Sequence, residues 1–198
     1  MPWFISDRSD AELVQETLAG QAEAFNILVR RWERKVYGYL AHLTGRTDDA
    51  LDLCQDVFLS AYRHLRRLRD PARFRPWLFQ IAHNTAYSHL RRPRPMEDEA
   101  ETNSAPDRLS GETRLDDGSV WEPRELRALM EQGLGQLSVE QREAIVLKIF
   151  DGLKFSEIAE VQGCPVSTVK TRLYTGFDEL RLILQRSADV GVSTKLKS

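Results

Sequence analysis

Apolar positions recur along most of this chain at three- and four-residue spacing, the signature of amphipathic helices packed on a shared core. Phe25, Leu28, Val29, Trp32, Val36, Tyr39, Leu40 and Leu43 form one such stripe, which stops at Gly45. A shorter helix precedes it: Ser9-Asp10-Ala11-Glu12 fits a capping box and Gly20 marks a stop. After Gly45, Thr47 or Asp48 is expected to cap a third helix with the inner stripe Leu51, Cys54, Phe58, Ala61, Leu65 and Leu68. Arg69-Asp70-Pro71-Ala72-Arg73 breaks the pattern, because proline disfavours helix at the residue before it. A fourth helix starts near Phe74 or Pro76 and ends at Pro93 and Pro95. Its inner side reads Phe74, Trp77 or Leu78, Ile81, Thr85 and Leu90, and its opposite face Gln80, His83, Asn84, Tyr87 and Arg91.

The periodicity lapses over Met96 to Glu125 and resumes through Leu126, Leu129, Met130, Leu134 and Leu137. Ser138-Val139-Glu140-Gln141 is a second capping box, followed by Ala144, Ile145, Leu147 and Ile149 and a stop at Asp151-Gly152. Phe155, Ile158, Ala159 and Val161, a turn at Gly163-Cys164-Pro165, and then Val166, Val169, Leu173, Phe177, Leu180 and Leu184 make a helix-turn-helix. The inner side of its second helix is read as Val166, Val169, Leu173 and Leu180. The expected fold is therefore all-α: two small helical domains joined by an acidic flexible linker, the second containing a helix-turn-helix. The boundaries are placed at 1–95, 96–122 and 123–186, with a disordered tail at 187–198.

Charge adds what periodicity does not show. The net charge is only −2, yet Arg63 to Arg94 holds nine Arg against one Asp, and Met96 to Glu125 ten acids against three Arg. The basic stretch also carries Phe74, Trp77, Phe79 and Tyr87, and basic charge interleaved with aromatics suits a nucleic-acid backbone and unpaired bases. A solvated basic helix face is the plain alternative. The acidic segment buries too little apolar surface to offset its ordering entropy and reads as a linker, one that folds back on the basic stretch, occupies a basic channel where nucleic acid would otherwise lie, or serves as a plain spacer. Lys154 to Arg186 is nearly neutral, five basic residues against four acidic, so the helix-turn-helix alone is expected to bind DNA weakly.

Two faces carry candidate chemistry. Asp52, Gln55, Asp56, Leu59 and Tyr62 form a second stripe on the third helix, where an apolar residue and an aromatic rimmed by charge fit a partner surface. The alternative is that Leu59 and Tyr62 belong to a wide apolar core face. On the last helix, Ser167, Thr168, Lys170, Thr171, Arg172, Tyr174 and Thr175 point outward, where a recognition helix meets the major groove. Cys54 and Cys164 have no metal-ligand spacing and read as free thiols. The N-terminus lacks a secretory signal and no apolar run is long enough to span a bilayer, so a cytoplasmic protein without metal, cofactor or membrane insertion is expected. No catalytic constellation or glycine-rich phosphate loop is present in the sequence, so no enzyme is expected.

Three segments together carry a family resemblance: Leu53-Cys54-Gln55-Asp56-Val57-Phe58-Leu59, Phe74-Arg75-Pro76-Trp77-Leu78-Phe79-Gln80-Ile81-Ala82-His83-Asn84, and Gly163 through Arg172. In order and spacing they resemble the extracytoplasmic-function (group 4) sigma factors of bacterial RNA polymerase, over about residues 10–94 and 123–185. The resemblance implies a factor that binds core RNA polymerase, recognises promoter DNA in double-stranded and melted form, and is held by an anti-sigma factor. It implies that Asp52, Gln55, Asp56, Leu59 and Tyr62 meet the clamp helices of the β′ subunit, that the β subunit is a further partner, and that the linker threads toward the polymerase active site and RNA exit channel. It implies that Arg69, Arg73, Trp77, Gln80, Asn84, Tyr87, Arg91 and Arg92 capture the −10 element, a flipped base entering the loop at Leu68 to Arg73. Ser167, Thr168, Lys170, Thr171, Arg172 and Tyr174 then read the −35 element. Thr175-Gly176-Phe177-Asp178 departs from the family, which has basic residues there; Gly inside a helix also costs roughly 1 kcal/mol against Ala. A stand-alone helix-turn-helix regulator, or an interaction module of a signalling protein, are the other readings.

Overall fold

The computed structural model describes residues 8–92 and 123–195, with side chains at 8–92 and 128–186. Eight α-helices follow in order among the described residues: α1 (Asp10–Leu18), α2 (Ala22–Thr44), α3 (Thr47–His64), α4 (Phe74–Leu90), α5 (Pro123–Gln136), α6 (Val139–Ile145), α7 (Phe155–Gln162) and α8 (Val166–Lys195). The acidic segment falls outside the described residues.

Local chemistry sets most of the boundaries. The Ser9 hydroxyl accepts from the Glu12 N–H at 3.2 Å, and the Glu12 carboxylate accepts from the Ser9 N–H at 2.6 Å; this pairing holds the Glu12 pKa below its ordinary value. Ser138 and Gln141 repeat the device at α6. Gly45 closes α2 at φ +70° and Gly163 closes α7 at φ +62°, conformations that cost a side-chain-bearing residue energy. The expected cap of α3 does not form. Thr47 is instead its first residue, and Thr44, inside α2, turns its hydroxyl to the Leu40 and Arg46 carbonyls. At α7 the Lys154 ammonium has no lone pair to give, so only the Glu157 carboxylate, accepting from the Lys154 N–H at 2.6 Å, caps the helix. α6 continues as one π-helical turn, Val146–Phe150. α8 extends to Lys195, past the tail expected from residue 187, because no proline interrupts it after Pro165.

α2, α3 and α4 pack around Leu28, Val36, Leu40, Val57, Leu78 and Phe79, all fully or almost fully buried. Phe79 sits edge-on to Trp32 and Tyr39, with ring centroids 6.2 and 5.4 Å apart. The buried stripe of α4 is Phe74, Leu78, Phe79, Ala82 and Ala86, rotated from the expected one; Trp77, Ile81, Thr85 and Leu90 are only half-buried. The rotation follows from α4 being covered on more than one side, by α2 and α3 and also by α7. The two helical units thus share apolar contacts: Val146, Leu147, Leu153, Ile158, Ala159, Val161 and Val169 join the same core as α1–α4.

Gly176 has a packing reason in this arrangement. α6 crosses α8 so closely there that a Cβ would lie 3.1 Å from Ile145 Cδ1 and 3.3 Å from Gln141 Cβ. Val169, Leu173 and Leu180 carry the buried side of α8, while Val166 at its start is exposed, a correction to the inner stripe read from spacing. Gly176→Val should therefore destabilise the second unit by about 1–3 kcal/mol, by overpacking, despite removing a helix-interior glycine. Thermal unfolding would show it, and an unchanged or raised midpoint would mean that α6 yields without cost.

Candidate functional site

The partner stripe on α3 is presented to solvent. Asp52, Gln55 and Asp56 are exposed, Leu59 is 47% exposed and Tyr62 51%. Tyr62 is also anchored: its ring lies edge-on to Phe25, centroids 5.0 Å apart, so its position is set by the core beneath it. Leu51, expected on the inner stripe, is 53% exposed and widens the apolar part of this surface. Asp56 and Leu59 also border a groove of about 430 Å³ between α3 and α4, whose far wall holds Asn84, His89 and Arg92.

The loop after α3 is built from two 3-10 turns, Leu65–Arg67 and Pro71–Arg73, the second capped by the Asp70 carboxylate accepting from the Ala72 N–H at 3.0 Å. Arg69 is exposed there. On α4, Gln80 and Asn84 are exposed, as are Arg91 and Arg92 just beyond it, while Trp77 and Tyr87 are half-buried. The expected strand-reading residues thus fall along α4 and the segments flanking it; Arg69, Arg73, Gln80, Asn84, Arg91 and Arg92 are exposed, Asn84 and Arg92 toward the groove with α3, while the side bearing Tyr87 is partly covered.

α6 and α7 lie across it. Glu143, on α6, is 0% exposed and accepts from four side chains: Tyr39 Oη at 2.5 Å, His83 Nδ1 at 2.7 Å, Gln162 Nε2 at 3.1 Å and Tyr87 Oη at 3.2 Å. Three of those donors belong to α2 and α4. Burial and the Glu143 carboxylate both push the Tyr39 and Tyr87 phenols far above their ordinary pKa, which fixes them as donors. Toward the start of α4, Arg73 just before the helix pairs with Glu160, Gln80 Nε2 donates to the Glu160 carbonyl at 3.4 Å, and Arg75 reaches Glu157 at 3.6 Å and the Gly152 carbonyl at 2.7 Å.

Arg142, the neighbour of Glu143, makes a second cross-link. Its guanidinium donates to the His42 and Leu43 carbonyls at the end of α2, at 3.1 and 3.5 Å. It also donates to the Gly135 and Leu137 carbonyls at the end of α5, at 3.0 and 3.2 Å. A cation at two helix C-termini satisfies orphan carbonyls and opposes both dipoles. Sequence reasoning missed Arg142 and Glu143. Neither sits in a motif, and Glu143 is identified by partners 60 and 104 residues away in the chain.

The helix-turn-helix presents part of its expected surface. Ser167, Lys170, Thr171 and Tyr174 are exposed, and Tyr174 is 60% so. Thr168 and Arg172 are half-buried. Arg172 points back into the turn, donating to Gln162 Oε1 at 2.9 Å, and stands 3.4 Å from Cys164 Sγ. Lys170 lies over the Phe155 ring, 5.6 Å from its centroid. Cys54 is buried, its thiol pushed up to about 11 by burial first and by Glu33 second, and Cys164 is free. No helix among the described residues is long and apolar enough to cross a membrane, and none of them form a group that would hold a metal ion.

Comparison with known proteins bears on the whole chain. Residues 28–95 match the model of Sigma-70 region 2, and residues 127–180 that of Sigma-70, region 4. The chain is 32% identical over 188 residues to the RNA polymerase sigma-H factor of Pseudomonas aeruginosa, covering 92% of this chain and 97% of that protein. It is 34% identical over 179 residues to the ECF RNA polymerase sigma-E factor of Escherichia coli K12, covering 84% and 89%. Among solved structures, CnrH in complex with the cytosolic domain of CnrY superposes with a TM-score of 0.67 at 26% identity, covering 89% of this chain and 97% of that one. RpoE of Bartonella quintana, solved with the anti-sigma factor NepR, gives 0.61 at 21% identity, covering 81% and 96%, a likeness of fold.

Proposed function

The chain belongs to the extracytoplasmic-function group of the sigma-70 family, and from that premise we propose which of its surfaces perform each step of initiation. It is a sigma factor: it binds core RNA polymerase, directs it to promoters and helps open the DNA, and its partners are that enzyme, promoter DNA and an anti-sigma factor. Such factors bring no catalysis of their own, and this one acts in the cytoplasm, where the polymerase is.

The core enzyme docks on Asp52, Gln55, Asp56, Leu59 and Tyr62, through the clamp helices of its β′ subunit. The observation that carries this assignment is the exposure of Leu59 and Tyr62 among acids on a helix whose opposite face is core. An apolar anchor inside a charged rim gains affinity from burial and register from the charges. Tyr62 loses little entropy on docking, because Phe25 already holds its ring.

The −10 strand is captured along Arg69, Arg73, Trp77, Gln80, Asn84, Tyr87, Arg91 and Arg92. The arginines hold phosphates, and the amides and rings meet bases taken out of the stack, which offsets the few kcal/mol of unstacking. The −35 element is read as duplex by Ser167, Lys170, Thr171 and Tyr174. Arg172 joins only where it leaves Gln162, and Thr168 is half-buried. A stand-alone regulator has no need of the α3 stripe or of a region 2 matching over 28–95.

Run-off transcription with core polymerase on genomic fragments tests the function directly: promoter-specific transcripts are expected with the chain and none without it. Asp56→Arg with Leu59→Glu tests the docking surface. Helicity is expected to persist and co-elution with core enzyme to fall by at least about thirtyfold in affinity, the loss of one interface hot spot. Co-elution equal to that of the parent chain would remove α3 from the interface.

A further inference from the structure

Of the two cations near the start of α8, one faces outward and the other is turned inward. Lys170 is exposed, whereas Arg172 is half-buried. Arg172 Nη1 donates to Gln162 Oε1 at 2.9 Å and lies 3.4 Å from Cys164 Sγ. The Gln162 amide is fixed from its other end: Nε2 donates to the Glu140 carbonyl at 3.2 Å and to the Glu143 carboxylate at 3.1 Å. Turned over, the amide would set its oxygen against two acceptors and its N–H groups against a guanidinium that only donates. Oε1 therefore faces Arg172, and it accepts from the Cys164 thiol as well, at 3.8 Å. Glu140 and Glu143 are on α6, Gln162 ends α7, Cys164 is in the turn and Arg172 is on α8, so every member of this relay belongs to the second unit. The groove beside Arg172, about 500 Å³ between α6 and α8, holds Glu140 and Glu179, whose charge also favours a cation there.

We infer that Gln162 is a positioning residue: it withholds Arg172 from duplex DNA and thereby sets how tightly the second unit holds the −35 element. The inference deepens the −35 assignment and rests on it. Arg172 follows Thr171 and stands two places before Tyr174, both assigned to the duplex, so its side chain starts at the edge of the reading face. Released from Gln162, it gains a phosphate oxygen as acceptor, a charge-assisted contact that adds affinity without reading sequence. Kept on Gln162, it leaves Lys170 as the one exposed cation among the assigned readers. The charge from Lys154 to Arg186 is already nearly balanced, and the withheld guanidinium lowers the hold on phosphate further. A second unit that holds duplex weakly acts at a promoter only when the first unit is bound to the same DNA, through effective concentration.

The test uses the full chain reconstituted with core RNA polymerase and titrated with a duplex pool of randomised sequence at several salt concentrations. Gln162→Met keeps the length of the side chain, removes the amide and leaves Glu143 its donors Tyr39, His83 and Tyr87. Affinity for the pool is expected to rise about three- to tenfold, the gain of one charge-assisted contact. Its dependence on the logarithm of salt concentration is expected to steepen by about one. Arg172→Met in the same chain is expected to cancel both changes, so that the loss on removing Arg172 is larger there than in the parent by the same factor. A purely structural role for Gln162 predicts the opposite sign, a weaker complex with an unaltered salt slope.

Unchanged or weaker binding by Gln162→Met, with circular dichroism and melting as in the parent, overturns the inference. So does a gain that survives Arg172→Met. Should Gln162→Met melt early, Gln162→Asn decides in its place: it keeps an amide but draws it back by one methylene, and the same gain is expected and the same failures overturn. Lys170→Ala separates the two levels. Weaker binding by Lys170→Ala without a gain from Gln162→Met rejects the relay and retains the −35 reading. Binding indifferent to Lys170→Ala rejects the −35 reading, and the inference with it.

Discussion

Replacing Glu143 by Ala should uncouple the two helical units at a cost of about 3–5 kcal/mol, so that a chain melting in one transition melts in two. The substitution removes the acceptor shared by Tyr39, His83, Tyr87 and Gln162. A fully buried donor left without an acceptor costs about 1–3 kcal/mol, and breaking a buried charged network about 3–5. Tyr39, fully buried, loses its side-chain acceptor outright, while Tyr87 and His83 are half-buried and recover part of the loss from water. Three of the four donors are in the first unit and the acceptor is in the second, so the loss falls on their contact more than on either core. Calorimetry distinguishes the outcomes. A single transition at the parent temperature would mean that the apolar contacts alone couple the units.

The way these residues escaped sequence reasoning has a physical basis. Caps are local: Ser9 with Glu12 and Ser138 with Gln141 bind backbone three residues away, and both were legible as spacing. The exposure of Leu59 and Tyr62 was legible too, because α3 has a single buried face and the second stripe falls outside it. α4 was misphased for the opposite reason. It is packed by α2, α3 and α7, so Phe79, read as part of a basic aromatic stretch, is core.

Gly176 was legible only as a propensity defect. Its cause is the proximity of Ile145 and Gln141, 31 and 35 positions earlier, and period along one helix carries no information about a crossing. Arg142 and Glu143 look like two ordinary solvent charges on a capped helix. Only the docking of that helix against α2 and α4 turns one into a carbonyl clamp and the other into the hub of the interface.

The contact between the units should also respond to pH through Asp151, which lies at the end of the π-helical turn beside Arg75 of α4. Asp151 is buried, its Oδ2 has no hydrogen-bond donor among the described residues, and burial pushes its pKa up to about 7 against the weaker downward pull of Lys35 and Arg75. A carboxyl with a folded pKa above its unfolded value holds its proton in the fold after the unfolded chain has released it. Between about pH 4 and about pH 7 the unfolded state binds fewer protons, so the free energy of unfolding falls as pH rises, and above about 7 this contribution is flat. The gap between the folded and unfolded values sets a ceiling of roughly 4 kcal/mol on the loss.

Asp151→Asn, neutral at every pH, should therefore raise the melting temperature at about pH 8 by several degrees and leave it nearly unchanged at about pH 4. The outcome is read from the difference between the two pH values rather than from either alone, because a packing effect of the new amide is common to both. An equal shift at both pH values would place the Asp151 carboxylate in contact with solvent or a cation, and the pH response would then have to come from other groups. With the expected result, acidification tightens the contact of the second unit with α4. The buried carboxyl at Asp151 and the hydrogen-bonded carboxylate at Glu143 then act on one interface in the same direction: each favours the contact between the units, the first when protonated and the second through its four donors.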